Sequence, residues 1–172
     1  MPIPTEWTEA LCVGVDALDD DMRILLGVLN QLGQAVVEET AADVVASLVI
    51  FFCNHARTHF RREENLLEHL GYSGQESHRA RHQEFVRWIE TFRHLYGVTH
   101  GKMPSQMLAF PAGWLIEHTL GEGKKCQPFL AGRKAKVENV LEAMDAFALY
   151  GFDDQTNDPL REAEEAALIS KD

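Results

Sequence analysis

HFRREENLLEHLGYSGQESHRARH, residues 59–82, sets His59 four residues before Glu63 and His78 four residues before His82. Residues four apart in an α-helix lie about 40° apart around the axis and about 6 Å along it, so each pair shares one face. Between the pairs, GYSG at 71–74 is a turn signal. Two helices joined by so short a turn run antiparallel side by side, which carries the two pairs toward each other. This hairpin decides the fold class.

Outward from it, helical periodicity persists and strand-like alternation is scarce. Leu18, Met22, Leu25, Leu29, Leu32 and Val36 form one apolar stripe, predicting a first helix over 19–38 with Asp19 or Asp20 as its cap. The second helix is expected over 41–69. The third, over 75–96, puts Phe85, Trp88, Ile89 and Phe92 on its apolar side. GVTHGKMP is read as a loop. The fourth helix is expected over 105–122, with Pro111 and Gly113 kinking it or delaying its start. GEGKKCQPF then separates it from a last helix over 133–149. These elements predict an all-α, up-down-up-down four-helix bundle occupying residues 1–150. Residues 151–172 form an acidic C-terminal extension. Asp158 and Pro159 suit the start of a short helix that places Leu160, Ala163, Ala167 and Leu168 on one side. That segment is read as solvated or loosely docked, with partner binding as the alternative.

At 172 residues the chain is long enough to bury a sizeable core. A formal net charge of −11 argues against nucleic acid or an anionic membrane as partner. No apolar run approaches the roughly 20 residues needed to span a bilayer, and MPIPTEW lacks the character of a secretion signal, so a cytoplasmic location is expected. Cys12, Cys53 and Cys126 are odd in number and widely spaced, which excludes a disulfide framework or a thiolate zinc site as the organising feature.

His118, on the fourth helix, joins the two pairs as a further candidate. Imidazoles and a carboxylate gathered in a bundle core suit iron, zinc or copper, and the carboxylate can bridge two metals. HFRREE, then GYSGQESHRARHQEF, resembles the hemerythrin and bacteriohemerythrin pattern HFxxEE followed by HxxxH. WLIEHTLGEGKKCQPFL is similar to that family's fourth-helix segment, and the opening W…LCVGVDALDDDMRILL resembles its first-helix entry. The resemblance covers about residues 7–130. It implies a four-helix bundle with a non-haem di-iron centre that binds or senses oxygen. The implied ligands are His59, Glu63 as the bridge, His78, His82 and His118, with the last three on one iron and His59 on the other. At the family's first-helix histidine this chain has Met22, and at its second bridging carboxylate it has Gly123; Cys126 replaces an aromatic residue.

Several side chains are candidates to complete the thinned half. His55 lies one turn before His59, and is either a ligand or a buried histidine behind one. Glu122, four residues after His118, shares the His118 face in a regular helix and so is a replacement carboxylate or a solvated residue. Met22 is read chiefly as core, with a thioether ligand as the alternative. Asp21 reaches inward only if the first helix shifts. Cys126 is a small apolar substitute rather than a ligand, and Trp114 is pocket wall. The expected function is a binding protein rather than an enzyme. It would hold one or two non-haem irons at an altered site and bind or sense dioxygen, nitric oxide or another small ligand, as a monomer or weak homo-oligomer. The alternatives are a haem-binding bundle, with Met22 and His118 as conceivable axial ligands, and a di-iron oxidase or peroxidase.

Overall fold

The computed structural model describes residues 6–98 and 105–150. A short 3-10 turn, Glu9–Leu11, precedes α1 (Asp16–Val37), α2 (Ala42–His69) and α3 (Gln75–Val98). A second 3-10 turn, Ser105–Leu108, leads into α4 (Ala109–His118), a wide π-turn over Thr119–Gly123, and α5 (Lys124–Ala131). No strand occurs among the described residues. The helices α1, α2 and α3, with the α4–α5 unit as the fourth member, form the four-helix bundle. Residues up to Val137 make one compact unit; a second begins at Glu138, inside α6 (Lys134–Tyr150). The expected tail helix over 151–172 lies outside the described residues.

The apolar stripe predicts the core. Leu18, Met22, Leu25, Leu29 and Leu32 of α1 are all buried, against Val49, Phe52, Ala56 and Phe60 of α2 and Phe85, Ile89 and Phe92 of α3. The α2–α3 turn ends α2 with a Schellman motif. The Tyr72 N–H donates to Leu67 O at 2.9 Å and the Gly71 N–H to Glu68 O at 3.0 Å. Gly71 sits at φ 70°, a left-handed conformation that glycine adopts without steric penalty. The turn is therefore written into the chain, and with it the antiparallel pairing of the site's two main helices.

Two expectations need correction. The first helix starts at Asp16, earlier than expected, and neither Asp19 nor Asp20 caps it; Val15 holds the cap position without a side-chain bond. Asp19 instead reaches back from inside the helix, accepting from Val13 N at 2.8 Å and Gly14 N at 3.2 Å. It ties down the entering chain rather than the helix end. The second correction concerns GEGKKCQPF, read as a connection but helical throughout. Gly121 and Gly123 do not stop the helix; they lie in the π-turn, and Lys124 N donates to Thr119 O, five residues back. Pro111, third in α4, falls in the first turn, where its missing N–H breaks no helical bond.

Candidate metal centre

His59 and Glu63 project from α2, His78 and His82 from α3, and His118 is the last residue of α4. All five are buried. One donor atom each from Glu63, His78, His82 and His118 lies within 4.8 Å of the others. Glu63 Oε2 stands at the centre, 3.3 Å from both His78 Nε2 and His82 Nε2 and 3.8 Å from His118 Nε2. His82 Nε2 is 3.0 Å from His118 Nε2, a contact that requires a proton on one of the two rings. Burial opposes charge on His82, but the carboxylates of Glu63 and Glu64 outweigh it and raise its pKa. Burial drives His118 down to about 4, helped by the charges of His82 and His78 against the pull of Glu63. Burial likewise opposes ionisation of Glu63, yet the surrounding imidazoles of His118, His78 and His82 hold it well below the usual carboxylate range.

The rings are fixed from behind. His82 Nδ1 donates to Glu64 Oε1 at 2.8 Å, while Phe60 stacks on the same ring at 4.2 Å. Trp114 stacks on His118 at 4.7 Å and 5°. Glu64 and Phe60 were missed as orienting residues. The second glutamate of HFRREE carries no local signal for this role, because the ring it reaches lies on the neighbouring helix, 18 residues along the chain.

This donor set fits one metal ion. Neither ring nitrogen of His78 has an aligned hydrogen-bond partner, nor does His118 Nδ1, although both side chains are almost fully buried. Such orphaned groups cost about 1–3 kcal/mol each, and a cation accepting the His78 Nε2 lone pair would offset that one. Among the described residues no other group of this kind is found.

The remaining candidates are not brought into the cluster. His59 Nε2 stays 4.0 Å from Glu63 Oε2. His55 turns toward Asp21, its Nε2 3.3 Å from Oδ1, and stacks on Phe51. Asp21 departs from expectation: it is buried without any helix shift, lies 3.5 Å from His59 Nδ1, and accepts a hydrogen bond from Arg62. Burial raises its pKa, but His55, His59 and Arg62 together hold it far below the ordinary range. Glu122 points outward and pairs with Lys125 Nζ at 2.6 Å. The reason is the π-turn. In a regular helix the residue four after His118 shares its face, but a wide turn passes that position to the fifth, Gly123, which is buried. Met22 is buried in the apolar core, and Cys126 is a buried thiol whose Sγ donates to Gly123 O at 3.1 Å. Burial pushes that thiol up to about 12, so it stays protonated.

Replacing Asp21 with alanine leaves His55 Nε2, His59 Nδ1 and Arg62 without their shared carboxylate. Urea unfolding is expected to show a loss of about 1–3 kcal/mol, while metal content stays unchanged because no ligand of the four-residue cluster touches Asp21.

The sequence model of the family described as "Hemerythrin HHE cation binding domain" matches residues 13–130. The chain belongs to the hemerythrin family. It is 24% identical over 123 residues to a bacteriohemerythrin of Clostridium acetobutylicum, covering 69% of this chain and 95% of that one. A hemerythrin-like protein of Naegleria gruberi is 26% identical over 125 residues, covering 73% and 92%. A crystal structure of wild-type hemerythrin superposes with a TM-score of 0.67 at 20% identity, covering 73% of this chain and 97% of that one, which supports the shared bundle. Hemerythrins bind non-haem iron and dioxygen, and the histidine–glutamate cluster is able to hold a metal ion. On the other side of Glu63, His59, Asp19 and Thr119 share the lining of a small cavity with Met22 and Gly123. Among the described residues no helix is long and apolar enough to cross a membrane.

Proposed function

We propose that this hemerythrin holds a single non-haem iron through Glu63, His78, His82 and His118, and binds or senses dioxygen or nitric oxide there. The observation that carries the reading is the convergence of those four buried donors within 4.8 Å. Three imidazoles and one carboxylate leave an iron coordination position free, and the bound iron supplies the electrons that make a diatomic ligand bind. The chain's own contribution is to hold the imidazoles in place: Glu64 behind His82, Trp114 against His118 and Phe60 against His82. A di-iron oxidase or peroxidase needs ligands on the Met22–Gly123 side that this chain lacks. A haem needs a porphyrin-sized opening where Phe60 packs edge to face on Phe85 and Trp114.

Elemental analysis of protein purified without added metal, with an optical spectrum of the same sample, tests this. The expected result is about one iron per chain, with neither the near-ultraviolet bands of an oxo-bridged pair nor a Soret band. Nitric oxide added to the reduced protein then gives an electron-spin signal that scales with the iron. Two irons with oxo-bridge bands, or a Soret band, would overturn the single-iron reading.

A further inference from the structure

A continuous row of aromatic rings leads from the cluster to the surface. Trp114 stacks on His118, and Phe85 stacks on Trp114 at 4.4 Å and 29°. Trp88 follows, 5.6 Å from Phe85, with the exposed ring of Phe110 at 5.0 Å beyond it. A second branch leaves His82 through Phe60 and joins the row at Phe85, at a ring separation of 5.6 Å. Every step is a ring-to-ring contact. Trp88 is only partly buried, so the row ends where solvent reaches it.

Burial alone would be served by leucine or phenylalanine at each of these places. Tryptophan is the side chain of the row that gives up an electron most readily. Two of the chain's three tryptophans stand in it, one against a ligand ring and one at the surface. The third, Trp7, is also partly buried, but its ring lies under the Arg23 guanidinium at 4.3 Å and, among the described residues, joins no ring of the row. Peroxide accompanies dioxygen, and it takes two electrons where a ferrous ion gives one. We propose that Trp114 supplies the second electron and that the vacancy passes outward to Trp88, where a small reductant such as a thiol or ascorbate fills it. The O–O bond of peroxide breaks, and with two protons from solvent its oxygens leave as two waters. The ferrous ion becomes ferric, and Trp114 becomes a radical cation. An electron from Trp88 restores Trp114, and the reductant, itself oxidised by one electron, restores Trp88. The row thereby spares the cluster's histidines from oxidation. This rests on the single-iron reading given above.

The test treats iron-loaded protein with peroxide, freezes one portion for electron-spin resonance and digests another for mass spectrometry. Iron content is measured on every sample, and zinc-loaded protein is the redox-inert control. The iron-loaded protein is expected to show a tryptophan radical and more oxidation on Trp88 than on Trp7, which is as accessible but off the row. The zinc form should show neither, and ascorbate should abolish both. In Trp114→Phe, compared at equal iron, Trp88 oxidation should fall to the level of Trp7 while oxidation of His118 and His82 rises. Trp88→Phe changes a ring separated from His118 by Phe85 and Trp114, so iron should stay bound. There the radical should remain on Trp114 and outlast the wild-type signal when ascorbate is added. The two variants move the damage differently, which a general loss of folding does not do. Iron absent from all samples would defeat the single-iron reading itself. Iron present, with Trp7 and Trp88 oxidised alike or with radical lifetime indifferent to W88F, would defeat the electron route alone.

Discussion

His118→Ala is expected to strip the protein of iron. His118 contributes one of three imidazole nitrogens around Glu63 Oε2, and its ring is held flat against Trp114 at the end of α4. Orienting partners behind metal ligands are commonly worth 10- to 100-fold in affinity, so removing a ligand itself should cost roughly 100-fold or more. Protein purified from the same medium should then carry almost no metal. The fold should survive, because the metal-free cluster gains little from a neutral, buried ring whose Nδ1 has no partner; circular dichroism checks this. Glu122→Gln and His55→Ala supply the contrast. Both were candidate ligands by spacing, but Glu122 pairs with Lys125 and His55 with Asp21. Their iron content should match the unaltered protein. Metal loss in either variant, or retention in H118A, would refute the assignment of the cluster.

The double variant Met22→His with Gly123→Asp is expected to take up a second iron. Both positions line the cavity beside His59 and Glu63, so the new side chains would add an imidazole and a carboxylate to donors already there. The π-turn makes the aspartate possible. It carries residue 123 inward, and the Cβ contact of 3.1 Å with Val13 Cγ1 asks that side chain to yield by only a few tenths of an ångström. Iron should rise from about one to about two per chain, with near-ultraviolet bands of a bridged pair. Each single variant should remain near one. The metal-free double variant should be less stable, since each buried polar group without a partner costs about 1–3 kcal/mol. A double variant that folds, binds one iron and shows no bridge bands would mean that more than these two residues separates this site from a di-iron centre.

Much of the architecture is readable along the chain because its causes are local. The stripe from Leu18 to Leu32 repeats with the pitch of a helix, so each apolar side chain specifies the buried face with no knowledge of its neighbours. Gly71 can take a left-handed φ, and its position alone closes α2. The four-residue spacing of His59 with Glu63, and of His78 with His82, places each pair on one face wherever the helices go. What escaped depends on partners distant in sequence. Asp21 is buried because His55, His59 and Arg62 come to it from another helix, Arg62 from 41 residues away. The π-turn at Thr119–Gly123 has no periodic signature; two glycines, ordinarily a stop, allow one extra residue where the helix packs against Val13. That single residue turns Glu122 out to Lys125 and Gly123 in to the cavity. Helix faces follow from the order of residues, but the register of an irregular turn is set by the packing around it, and here it fixes which side of the centre has room for a metal.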